Sequence, residues 1–139
     1  MDKQVIIRNF GVLYRTFVSY MSKEISDSGI SFSDSIFLMN IGRNEGIHQS
    51  EIAQALAIDK AAVARSIKNM VASNYVRLEI SPVDKRAKKL FLTEEGKPLY
   101  DKLTKMQDKW LQHVLGDMPD VEVAEFAQTI EQISQRAKD

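Results

Sequence analysis

There is no cysteine in the 139 residues, so disulfides, thiolate metal sites and an oxidation sensor built on a thiol are excluded. Histidine is nearly as scarce, with His48 and His113 far apart in the chain, and no metal site is expected at either. No apolar run approaches the ~18 residues that a membrane span requires. The amino terminus MDKQVIIRNF has neither the long apolar centre nor the small-residue cleavage site of a signal peptide. A cytoplasmic location without membrane contact is therefore expected. No Gly-x-Ser-x-Gly, phosphate loop, paired-histidine or histidine–carboxylate motif occurs, so neither an enzyme nor a cofactor is expected. Net charge is absent too: 19 basic residues balance 19 acidic ones, which taken alone argues against nucleic acid as a partner.

What is present is enough apolar material for a core, with 44% hydrophobic and 27% charged residues in a length suited to one domain. The charge is unevenly placed. Residues 60–89 hold eight basic residues (Lys60, Arg65, Lys68, Arg77, Lys85, Arg86, Lys88, Lys89) against Glu79 and Asp84, a net plus six, whereas residues 98–139 are net minus three. A basic run is by default a solvated face. This one coincides with a pattern that suits a phosphate backbone.

That pattern runs from Gln49 to Thr93. Ser50 is the expected N-cap of a short helix with Ile52, Ala53 and Leu56 on one face, ending near Ala57. Asp59 is the expected cap of a second helix with Val63, Ile67, Met70 and Val71 as its stripe, closed by Asn74, which tolerates the left-handed conformation. Two short helices joined by a tight turn are the form of a DNA-reading helix-turn-helix. Residues 75–80 then alternate as a strand, Ser81-Pro82 is turn chemistry, and residues 89–92 return.

The order helix, helix, strand, Asp84-x-Arg86 hairpin tip, strand, then Leu92-Thr93-x-x-Gly96 opening a long helix resembles the winged helix of the MarR (multiple antibiotic resistance regulator) family. The match covers residues 30–100. The resemblance implies a mainly α fold with a small antiparallel β-hairpin wing, flanked by dimerisation helices in residues 1–29 and 101–139. It implies a dimeric DNA-binding regulator, expected here to be a repressor of a pseudo-palindromic operator released by a small molecule. It also implies that Arg86 enters a minor groove, with Asp84 holding its guanidinium in a bidentate pair. Lys60, Arg65, Lys68, Lys85 and Lys88 would then meet phosphates, as would Ser50 from a helix start, while Ala61 and Ala62 reach at most thymine methyls.

Two departures from the family pattern are visible. Ala57 stands where the family has glycine, at a cost of about 1 kcal/mol if φ is positive there. Ala61, Ala62 and Ala64 stand where it has serine or threonine, which leaves a winged-helix module that binds protein rather than DNA as the alternative.

The flanks read as helices. Ile6, Phe10, Leu13, Phe17, Met21 and Ile25 form a stripe over residues 3–26, broad enough to serve either as a central core helix or as a face shared with a second subunit. Ser33 is the expected cap of the next helix, and Ile47-His48 is read as a short strand. Thr93 is the expected cap of a long helix over residues 94–115, with Leu99, Leu103, Met106, Trp110 and Val114 in phase. A last helix carries Val121, Phe126, Ile130 and Ile133. A pocket for a small aromatic or apolar effector is expected where the first, second and fifth helices converge, lined by Phe17, Met21, Met39 and Trp110 and suited to an apolar or aromatic anion. Core packing is the competing reading of those four residues.

Overall fold

A computed structural model describes all of residues 1–139. Its elements run α1 (Gln4–Glu24), α2 (Phe32–Arg43), β1 (Ile47–His48), α3 (Gln49–Leu56), α4 (Lys60–Ala72), β2 (Val76–Ile80), β3 (Lys88–Leu92), α5 (Gly96–Leu115) and α6 (Asp120–Lys138). The expected mainly α winged helix is what forms, and β1 joins the hairpin in an antiparallel sheet of order β1-β3-β2. None of the helices is long and apolar enough to cross a membrane.

Residues 1–107 make one compact unit and residues 108–139 a second. In the first, the helical stripes converge: Met21 of α1 and Ile25 at its C-cap, Leu38 and Ile41 of α2, Ile52 of α3, and Val63, Ile67 and Met70 of α4 are buried together with Leu90 of the sheet and Leu103 of α5. Each such side chain contributes roughly 1.5–3 kcal/mol on burial. Val71, expected in the α4 stripe, is exposed instead. One residue beyond Met70 is a 100° turn of the helix, which carries it off the buried face. The α1 stripe divides: Met21 and Ile25 are core, but Ile6, Phe10 and Leu13 remain 44%, 40% and 39% exposed.

Two caps sit elsewhere than expected. Ser31, not Ser33, opens α2, its hydroxyl accepting from the Asp34 N–H at 3.1 Å while Asp34 reaches back to the Ser31 N–H at 3.5 Å. Ser50 is the second residue of α3 and not its cap. Strand β1 runs straight into the helix, so His48 takes the cap position and its N–H donates to Glu51 Oε1 at 2.9 Å. Thr93 caps as expected: its hydroxyl accepts from the Gly96 N–H at 3.0 Å and donates to the Asn74 carbonyl at 2.6 Å. A Cβ on Gly96 would lie 2.1 Å from the Tyr75 carbonyl oxygen, so the wing's base closes only over glycine. That contact accounts for Gly96 in the Leu92-Thr93-x-x-Gly96 motif.

In the second unit, Asp120 and Glu122 open α6 and Arg136 and Lys138 close it, charges that complement the helix dipole. Val121, Phe126 and Ile133 are exposed on it.

Candidate nucleic-acid interface

The turn between α3 and α4 is made at Ala57, whose φ of 53° and ψ of 44° are left-handed. The Ile58 N–H returns to the Ala53 carbonyl at 3.0 Å and closes the end of α3. A residue with a Cβ pays about 1–2 kcal/mol for this conformation, so the departure from glycine is a genuine local strain. With Val63, Ile67 and Met70 fixed in the core, α4 turns Lys60, Ala61, Ala64, Arg65 and Lys68 outward. Ala61, Ala64, Arg65 and Lys68 follow in steps of three, one and three and so share one outer face. Ala62 does not belong to that face: it is half-buried on the flank of α4 and lines a cavity described below.

The wing is ordered from its register upward. Val76, Leu78 and Ile80 pair with Leu92, Leu90 and Lys88, and between them Arg77 and Glu79 pair with Phe91 and Lys89. Alternation puts Arg77 over the Phe91 ring at 4.3 Å from its centroid and within 3.6 Å of Glu79. Arg77 is therefore engaged on the wing's own face. At the tip, Ser81 Oγ accepts from the Val83 and Asp84 N–H groups, each at 3.3 Å. Asp84 Oδ1 accepts from the backbone N–H of Arg86 at 3.0 Å, and the Ala87 N–H donates to the Asp84 carbonyl at 3.0 Å. The expected carboxylate–guanidinium pair is thus replaced by an Asx turn: Asp84 spends its carboxylate on the chain two residues ahead and shapes the loop from which Arg86 projects. Ser81 is the tip residue whose hydrogen-bonding role the sequence marked only as turn chemistry.

The ion pairs of the chain are Arg77–Glu79 and Lys97–Glu94, the latter at 2.9 Å. The hydrogen bond from Lys97, then its charge, holds the Glu94 carboxyl below its ordinary range, and the same contact raises Lys97. No carboxylate pairs with Lys60, Arg65, Lys68, Lys85, Arg86 or Lys88, all of them exposed. Ser50 is exposed near the start of α3.

The sequence pattern of the MarR family matches residues 28–87. A MarR transcriptional regulator from Methanosarcina mazei Go1 is 30% identical, with a TM-score of 0.86 over 97% of both chains. The chain belongs to the MarR family. Over 95 residues it is also 30% identical to the helix-turn-helix transcriptional regulator YybA of Bacillus subtilis (strain 168), a stretch covering 68% of this chain and 63% of YybA. A MarR-family regulator from Listeria monocytogenes, solved with a 26mer DNA, has the same fold, with 24% identity and a TM-score of 0.90 over 96% of this chain and 89% of that one. MarR-family regulators are DNA-binding proteins without enzymatic activity.

This MarR-family chain also holds a cavity of about 620 Å³ beside α4. Tyr14 and Phe17 of α1 and Phe32 of α2 form its aromatic wall, and Asp34, Arg65 and Ser66 bring polar atoms to it. Of the four residues expected at an effector pocket, the structure brings Phe17 to this cavity. Met21 and Met39 are instead buried in the core, filling space between helices as flexible thioethers do. Trp110 is half-buried on α5, in the second unit. The cavity is walled by α1, α2 and α4 with Leu56 of α3, not by α5, and Phe32 is an aromatic lining residue that the sequence did not single out. As a lone aromatic next to the Ser31 cap, it lies outside the apolar periodicity used to find the core.

Proposed function

We propose that this protein is a homodimeric repressor that binds a pseudo-palindromic operator and releases it when a small molecule binds. The observation that carries the reading is the set of six exposed cations without acidic partners: Lys60, Arg65 and Lys68 on α4, and Lys85, Arg86 and Lys88 at the wing. In a chain of zero net charge, gathering these six on α4 and the wing is what a phosphate backbone rewards. The recognition helix would lie in a major groove with Arg86 in the adjoining minor groove, and two such units would sit about 34 Å apart on the duplex. Dimerisation is supported by the apolar residues left exposed on α1 (Ile6, Phe10, Leu13) and on α6 (Val121, Phe126, Ile133). Effector release is supported by the 620 Å³ cavity beside α4, within the ~300–1,000 Å³ range of small-molecule sites.

A protein-binding winged helix is the second reading, favoured by the methyl-only outer positions Ala61 and Ala64. The experiment that separates them is duplex binding across a salt series. A DNA-binding function gives a log–log slope near −0.9 for each phosphate neutralised, so about −5 for six contacts in one subunit. A flat salt dependence, or no duplex binding at low salt, sinks the proposal.

A further inference from the structure

The α1–α2–α4 cavity has a charge of its own sign. Asp34 is 8% exposed, and no Lys, Arg or His pairs with it. Its carboxylate is held by the Ser66 hydroxyl and, at 3.5 Å, by the Ser31 N–H, so only hydrogen bonds and the amino-terminal end of α2 offset the charge. Four rings line the same cavity: Tyr14, Phe17, Phe32 and the buried Phe37. Phe32 meets Tyr14 at 81° with centroids 6.4 Å apart, and Phe17 at 80° and 5.9 Å. In each edge-to-face pair the edge of one ring meets the face of the other, and an aromatic face attracts a cation brought within about 6 Å. Arg65 is the one cation that lines the cavity, but it is exposed and screened by water, whereas Asp34 is desolvated. An anionic ligand would therefore have to settle against a buried carboxylate.

Resting on the effector reading given above, we propose that the cavity takes an organic cation: a quaternary ammonium or phosphonium centre on an aromatic or apolar body, with its charge at Asp34 and its body against Phe17, Phe32 and Tyr14. This reverses the charge expected from sequence, where an aromatic anion was anticipated. It also supplies a route to DNA. The Asp34–Ser66 hydrogen bond is a side-chain link from α2 to the buried face of the recognition helix α4. A cation that takes over Asp34 competes with the Ser66 hydroxyl for that carboxylate, and α4 loses one of the contacts that set its position. The ligand then lowers duplex affinity by the 5- to 150-fold, roughly, of a typical coupling between two sites.

Tetraphenylphosphonium and tetraphenylborate, equal in shape and opposite in charge, test the assignment on the full-length protein. Titration calorimetry reads binding, and duplex affinity is measured with and without each probe. The expected result is saturable binding of the phosphonium with a loss of duplex affinity, and little effect of the borate. Asp34→Asn, checked for fold by circular dichroism, should bind the phosphonium at least tenfold more weakly. Ser66→Ala, which keeps the carboxylate, should still bind it but lose its effect on duplex affinity, and it keeps the test open if Asp34→Asn fails to fold. Binding of the borate equal to or tighter than the phosphonium, with release of DNA, overturns the cation assignment while leaving an effector function standing. No response of duplex affinity to either probe overturns the assignment and the effector reading together.

Discussion

Ala57 and Asp84 show how single residues set the geometry of the two elements proposed to face DNA. Ala57 carries a left-handed backbone that glycine adopts freely, so Ala57→Gly is expected to stabilise the fold by about 1 kcal/mol and raise the melting temperature by a few degrees. A calorimetric melt without a rise would contradict the strain. At the wing, Asp84 acts through an acceptor oxygen on the Arg86 N–H, not through its charge. Asp84→Asn should accordingly retain operator affinity within about twofold, since the amide oxygen can accept the same hydrogen bond, whereas Asp84→Ala should weaken it measurably. Equal losses in the two variants would restore the ion pair anticipated from sequence. Which atoms Asp84 engages was not legible because Asp-x-Arg spacing permits either partner, and only the folded turn chooses between them. The left-handed residue at position 57 was legible, because the family pattern marks the place where a Cβ is strained.

At the scale of elements, the proposed interface divides its work unequally between α4 and the wing. The exposed face of α4 offers methyl groups at Ala61 and Ala64 with Arg65 and Lys68, so on the proposed function sequence reading by that helix would lean on Arg65. Ala61→Ser should change operator affinity little, and a loss beyond about tenfold in a fluorescence titration would place position 61 against a base edge. Lys85→Ala and Lys88→Ala should weaken binding to all duplexes alike and each reduce the salt slope by about one. Helices and strands were legible to within a few residues from the 3.6 and 2 periodicities. Cap positions were legible in part: Asp59 and Thr93 stand where expected, but Ser31 displaced Ser33 and His48 displaced Ser50, because the incoming chain direction selects among neighbouring capping residues. The cavity was half legible. Its aromatic character was read from Phe17, but Met21 and Met39 follow the same stripes into the core, and a buried carboxylate at position 34 leaves no periodic signal.

The whole molecule is proposed to act as a pair. Apolar side chains stand exposed on α1 (Ile6, Phe10, Leu13) and on α6 (Val121, Phe126, Ile133), surfaces that a second subunit could cover, and obligate interfaces usually bury about 2,000 Å² or more. Light scattering at micromolar concentration should return twice the 15.8 kDa chain mass, and melting should shift upward with concentration. A stable monomer would remove the two-fold geometry on which a pseudo-palindromic operator depends. Whether the wing and helix cations hold DNA with Arg86 in a groove is decided by one comparison. Duplex affinity of the native protein and of Arg86→Ala is measured at two salt concentrations. A loss on the order of 1–3 kcal/mol is expected at both concentrations. Unchanged affinity for Arg86→Ala would contradict it.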